Sequence, residues 1–215
     1  MNTNFRIAVK EIFAPFLYRF PPIGLEPPQL GIYLHELLIR RDVPGDVAEV
    51  GCSVGGTACL ASKVVRKYSE DKKYICYDTF EGFVGEQFEA DIPLGTPRSD
   101  QSRYTANSQR LVRKILDLHD CGHVELVKCD IVKVPQDVLS KIYSVVLLDV
   151  DLSEPTYHAL NRFYPLLSSG GVILVDDCAD EPEQVWRARR GFERFCAEFG
   201  FTALIRYGFG VIEKH

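Results

Sequence analysis

Five apolar runs of strand length, VAEVG, KYICYD, VELVKCD, SVVLLDVD and GGVILVDD, alternate along this chain with stretches able to hold a helix. A run such as Val145-Val146-Leu147-Leu148 has no polar alternation. It therefore suits a strand covered on both faces, and such strands belong to parallel sheets flanked by helices. Apolar residues recur at helical spacing in LGIYLHELLIRR, TACLASKVVRKY, TANSQRLVRKILDLHD, EPTYHALNRFYPLL and VWRARRGFERFCAEFG, and each of the first four strands is followed by a stretch long enough for a helix. At the tail, TALIRYG and FGVIEK are separated by almost nothing, with Gly208 and Gly210 at the junction. That pattern predicts a β-hairpin whose last strand is antiparallel. The expected fold is α/β: a doubly wound, mostly parallel Rossmann-like sheet ending in an antiparallel β-hairpin.

At 215 residues the chain fits one domain, expected over residues 29–215, preceded by an N-terminal arm or lid over residues 1–28. The arm pairs a short amphipathic stretch with Pro21-Pro22 and Pro27-Pro28, which stop helices and favour extended chain. It suits a surface strap, a lid, or an arm joining two copies in a homodimer. A net charge of −5 argues against a nucleic-acid or anionic-membrane surface, and no signal or spanning segment is visible. The seven cysteines form no CxxC pair, as expected of reduced thiols in a cytoplasmic protein.

Open α/β sheets bind ligands beyond the carboxyl ends of their strands. Here the first strand carries Glu49 into the loop Gly51-Cys52-Ser53-Val54-Gly55-Gly56. The second ends in Asp78-Thr79, the third in Asp130-Ile131, the fourth in Asp149 and Asp151, and the fifth in Asp176-Asp177. A dinucleotide fingerprint would have glycine where Ser53 stands, and Glu49 would repel a phosphate, which counts against a nicotinamide-dependent oxidoreductase. An adenosine-based cation fits better. In S-adenosylmethionine the methionine portion would face Glu49 and the ribose diol Asp78, with Asp130 or Ile131 along the adenine edge. His119, His123 and His158 lack matched partners and read as structural. Trp186, Phe192 and Phe195 lie at helical spacing and read mainly as core or interface, with Trp186 also able to stack on a sugar or aromatic acceptor.

The segments DVPGDVAEVGCSVGG, YDTFEGF, LLDVDLSEPT and GGVILVDD together resemble the macrocin O-methyltransferase family of class I methyltransferases, in the same order over roughly residues 30–177. The resemblance implies an S-adenosylmethionine-dependent O-methyltransferase acting on a hydroxyl of a sugar or other small natural-product acceptor, with Mg²⁺ held by strand-end aspartates. It puts Glu49, Gly51 and Gly55 at the cofactor loop, Asp78 at the ribose, and Asp149, Asp176 and Asp177 at the metal; Ser53 and Thr79, beside them in the chain, are further candidates for cofactor binding. Ser153 replaces an aromatic of the family, and CADEPEQVW replaces its Gly- and Tyr-rich acceptor segment. Carboxylates gathered at buried strand ends repel one another unless a cation lies between them, and hard oxygen ligands suit Mg²⁺ better than zinc. Asp149 is the expected base and ligand, and Asp151 a supporting or capping residue. The competing readings are a metal-independent N- or O-methyltransferase and a non-catalytic relative of the fold.

Overall fold

The computed structural model describes residues 2–139, 142–179 and 185–215. Five strands run parallel: β1 (Asp46–Val50), β2 (Tyr74–Asp78), β3 (Glu125–Lys128), β4 (Tyr143–Leu148) and β5 (Leu167–Val175). The hairpin of β6 (Leu204–Arg206) and β7 (Phe209–Glu213) completes one sheet in the order β3-β2-β1-β4-β5-β7-β6, with β7 antiparallel to β5. Its turn residues Tyr207 (φ 51°) and Gly208 (φ 85°) are both left-handed, which matches the strand twist in a two-residue hairpin.

Every residue of β4 is buried. On one face, Val145 and Leu147 join a cluster with α3 (Pro27–Ile39), α4 (Gly56–Tyr68) and α6 (Gln109–Leu118), through Tyr33, Leu37, Ala58, Val65, Val112 and Leu116. On the other, Val146 and Leu148 pack with Ala159, Leu160 and Phe163 of α7 (Ser153–Phe163) and with Phe192 and Phe195 of α8 (Ala188–Phe199). The two helices of this second layer approach very closely, since a methyl on Gly191 would stand 2.1 Å from the Ser153 carbonyl oxygen.

Three local expectations are corrected. Pro27-Pro28 begins α3 instead of blocking it, because proline is tolerated in a first turn where N–H groups lack helical partners. Gln29 and Glu26 close that end as a capping box. After β3, residues 130–139 hold a 3₁₀ turn at Gln136–Val138 and no α-helix. Between β2 and α6 lies a structured segment that the periodicity did not reveal, with the short helix α5 (Gly85–Asp91) and 3₁₀ turns at Ile92–Leu94 and Arg98–Ser102. The arm folds as α1 (Thr3–Ile12) and α2 (Ala14–Leu17), with Ala14 packed on Leu111 and Ile115. Among the described residues no helix is long and apolar enough to cross a membrane.

A buried polar chain runs between α3 and the sheet. Tyr33 Oη lies 2.9 Å from Tyr74 Oη, and Tyr74 Oη donates to Glu49 Oε2. Glu49 is 2% exposed, and burial pushes its carboxyl up to about 8 against the opposing pull of the Tyr74 hydrogen bond. In the folded state this group keeps a proton that the unfolded chain releases near 4.5. Its contribution to stability is therefore complete below 4.5 and is lost as pH rises through about 8.

Two outcomes are expected. Gly191→Ala should destabilise the protein by about 1–3 kcal/mol, seen as a lower urea midpoint, because the α7 backbone has no slack for the methyl. Glu49→Gln should flatten the fall of the urea midpoint between pH 4.5 and 8; a profile as steep as that of the parent protein would assign the slope to other groups.

Candidate active site

The carboxyl ends of β1 to β5 open on a cleft of about 250 Å³. Gly51 lies where the β1 and β4 ends meet. Its φ is 87°, and a Cβ there would fall 1.8 Å from Asp149 O. Only glycine permits both that conformation and that approach. The loop then turns through Ser53 (φ 49°), whose N–H donates to Asp78 Oδ2 at 3.0 Å. Asp78 Oδ1 accepts from Phe80 N–H at 2.7 Å. Burial raises the Asp78 carboxyl, and these backbone donors pull it back down.

Gly51, Ser53, Asp78, Thr79, Asp130 and Ile131 all line the cleft. Asp130 is engaged by Gln87 Nε2, at 2.9 and 3.0 Å from its two oxygens, and by Val132 N–H at 2.9 Å. Two expected cofactor residues do not line the cleft: Glu49 points its carboxyl to Tyr74 on the α3 side, and Gly55 (φ 80°) caps α4 against Val112.

At the other end of the cleft, carboxylate oxygens of Asp149, Asp151 and Asp177 lie within 4.8 Å of one another. Asp151 (φ 61°) and Asp177 (φ 57°) are left-handed, and this turns their side chains toward Asp149. Burial lifts the Asp149 carboxyl well above the usual range, reinforced by the charges of Asp176, Asp151 and Asp177. Asp151 is raised likewise, by burial and then by Asp177. Asp176 lines the cleft outside this trio, and its Oδ1 accepts from Gln29 Nε2 and from Asp177 N–H. Three carboxylates that converge in this way offer the hard oxygen donors that suit a divalent ion such as Mg²⁺.

Residues 79–108 roof the cleft. Asp91 pins the roof to α7: its Oδ1 accepts from Ser153 N–H at 2.9 Å, doing for α7 what its own N-cap, Leu152, cannot. Arg187 donates to Leu94 O at 2.8 Å and Gly95 O at 3.1 Å, and its own N–H donates to Asp151 O at 3.0 Å. Asn107 Nδ2 donates to Ser53 O at 2.7 Å, which ties the roof to the glycine loop. Under the roof, Phe83 packs with Phe88, Tyr104 and Trp186 at centroid distances of 5.2, 5.5 and 5.4 Å.

Sequence reading missed Gln29, Gln87, Asn107 and Tyr104, since no motif marks them. The readable signal was length: roughly thirty residues separate β2 from α6, and connections that long are usually functional. Trp186 precedes α8 and belongs to the roof cluster, whereas Phe192 and Phe195 are core. Most of the CADEPEQVW segment, from 180 to 184, lies outside the described residues. The histidines are elsewhere: His119 meets Tyr18 O, His123 meets Ser62 O, and His158 pairs with Glu154 on the surface of α7.

The chain is 30% identical over 152 residues to demethyldecarbamoylnovobiocin O-methyltransferase of Streptomyces niveus, covering 66% of this chain and 56% of that protein. It is 28% identical over 164 residues to 8-demethyl-8-(2,3-dimethoxy-alpha-L-rhamnosyl)-tetracenomycin-C 4'-O-methyltransferase of Streptomyces olivaceus, covering 68% and 58%. The chain thus spans a little over half the length of these curated relatives. The solved structure of the O-methyltransferase NovP superposes with a TM-score of 0.73 at 20% identity, covering 99% of both chains. The calicheamicin methyltransferase CalS11 superposes at 0.68 and 20% identity, covering 98% of this chain and 91% of that one. At that identity these two likenesses establish a shared fold. The family model for macrocin-O-methyltransferase (TylF) matches residues 33–202, most of the chain and every strand-end motif of the cleft, and the chain belongs to this family.

Proposed function

We propose that this protein is an S-adenosylmethionine-dependent O-methyltransferase whose acceptor is a hydroxyl of a sugar or other small natural-product metabolite, and that it uses Mg²⁺. One observation carries the reading: a single roofed cleft has an amide-anchored Asp78 at one end and a convergent carboxylate trio at the other. The first suits a ribose diol and the second a hard cation beside a reacting hydroxyl. Family membership supports the same assignment, and both curated relatives carry O-methyltransferase names.

In this reading Asp78 accepts from the ribose hydroxyls, Thr79 stands beside it, and Asp130 and Ile131 border the adenine. Gly51 and Ser53 bring loop backbone to the methionine portion, with Glu49 and Gly55 supporting that loop from behind. Asp149, Asp151 and Asp177 would hold the metal, with Asp176 beside them on the Gln29 amide. When bound, the cofactor supplies an electrophilic methyl group and the cation supplies Lewis acidity that lowers the acceptor hydroxyl's pKa. Asp149 takes the proton from that hydroxyl, a role worth roughly 10²- to 10⁴-fold in rate. The roof keeps bulk water from the reacting oxygen and holds the acceptor in line. The same proximity favours a second, metal-independent reading: burial and the neighbouring Asp177 raise the Asp151 carboxyl, so a proton held between the two would serve in place of the cation.

Calorimetry with S-adenosylhomocysteine, with and without Mg²⁺, tests the cofactor assignment; no binding by folded, ligand-free protein would sink it. Asp78→Ala should weaken that binding about ten- to a hundred-fold, regardless of Mg²⁺. Asp149→Asn should keep the binding and lower turnover by about 10²- to 10⁴-fold. EDTA should abolish turnover and added Mg²⁺ restore it, whereas full turnover in EDTA would select the shared-proton reading.

A further inference from the structure

Tyr104 occupies a part of the cleft that neither the cofactor nor the metal assignment uses. It lines the cleft with Phe83, Asp149, Asp151 and Trp186, and 41% of it is exposed, a high fraction for an aromatic inside a site. Its backbone is left-handed, with φ at 62°, a conformation that a bulky side chain holds only when its surroundings impose it.

Those surroundings are identifiable. Gly82 is left-handed as well, and a methyl on it would stand 2.9 Å from Arg103 O and 3.1 Å from Thr105 N. Thr79 Oγ1 donates to Gly82 O at 2.6 Å, and Thr105 Oγ1 donates to Ser102 O at 2.8 Å. The turn that presents Tyr104 is thereby clamped to the end of β2. Behind it, Phe83 meets the Tyr104 ring edge-to-face, and Trp186 backs Phe83 with the Arg103 guanidinium 5.4 Å from its own ring centroid. All three rings line the cleft, but Phe83 and Trp186 pack on each other and Trp186 also meets Arg103, and Tyr104 is the most exposed of the three. Burial and the charges of Asp151, Asp149 and Asp177 keep its phenol protonated.

An aromatic face beside several carboxylates is a selective pairing. A flat aromatic acceptor stacked there offers the acid end only the hydroxyls on its edge. A pyranose packs its C–H surface on the aromatic ring while its hydroxyls donate to the carboxylates. We propose that Tyr104 is the acceptor-recognition residue, its ring packing on one face of a pyranose and directing a hydroxyl of that sugar toward Asp149. This rests on the methyltransferase reading and goes beyond it by naming the residue and the part of the acceptor it reads.

The chain has one tryptophan, so Trp186 emission reports on this cluster alone. Protein saturated with S-adenosylhomocysteine and Mg²⁺ is titrated with the methyl glycosides of rhamnose, glucose and galactose, and separately with phenol. At least one glycoside should give a saturable change, and phenol should give none. Tyr104→Phe should bind that glycoside within about three-fold of the parent protein, and Tyr104→Asn at least about ten-fold more weakly. Asparagine tolerates the left-handed backbone, so Tyr104→Asn should remain folded and bind S-adenosylhomocysteine equally well. Unchanged glycoside affinity in Tyr104→Asn, saturable binding of phenol alone, or no saturable response to any glycoside would each overturn the proposal. Failure of the parent protein to bind S-adenosylhomocysteine would instead remove the underlying methyltransferase reading.

Discussion

Asp149 N–H donates to Val50 O at 2.8 Å, and Gly51 lies so close to the Asp149 carbonyl that no side chain fits between them. The ends of β1 and β4 are therefore locked together at the middle of the sheet. The chain leaves β1 toward β2 and β3 on one side, and β4 toward β5 on the other. A crevice must open where these connections diverge, which is where α/β sheets bind ligands. Because β4 is buried on both faces, its first freely placed polar group is Asp149, and the lock brings that carboxyl to the crevice. Glycine loop and acid trio are neighbours because of this one close contact.

The buried carboxylates of the site are stabilised in two different ways, and the difference divides the cleft. Asp78 accepts backbone N–H groups from Ser53 and Phe80, so its negative charge is supported by fixed dipoles. Such a group is rigid and ready to accept hydroxyl donors. Asp149, Asp151 and Asp177 bring their carboxylates together, and for Asp149 and Asp151 burial adds to the repulsion from neighbouring acids. That arrangement is costly unless a proton or a cation is shared among them. Asp176 belongs to neither group, since the Gln29 amide holds it. Gln29 also closes the N-terminus of α3, where the arm enters the domain core.

The roof shows how a long connection with only one short helix and two 3₁₀ turns acquires a fixed position. Asp91 caps α7 from outside, Arg187 collects two roof carbonyls, and Asn107 holds the glycine loop. Each contact satisfies a backbone group, and the one from Asp91 reaches a buried N–H that would otherwise lack a partner. The arm adds a further fixed point, since a methyl on Gly56 would lie 2.0 Å from Pro22 O. The roof also carries Phe83, Phe88 and Tyr104, the aromatic residues packed beside the acid end of the cleft.

Strand-length apolar runs, the alternation with helices, the closing hairpin and the acids at each strand end follow from local composition and period, and these were legible in the chain. So was the glycine loop, because its conformation is a property of the residues within it. The period-two alternation also puts Glu49 on the same face as Val47, but only folding brings Tyr33 and Tyr74 to it and turns its carboxyl away from the cleft. Which of the four aspartates converge was likewise invisible, because left-handed backbone at Asp151 and Asp177 and an amide from Gln29 decide it. The roof carried no period to read, and its position rests on contacts such as Asp91 with Ser153, sixty-two residues apart. Local pattern determines which residues arrive at the end of a strand, whereas the direction in which each side chain then points depends on partners that only the tertiary structure brings within reach.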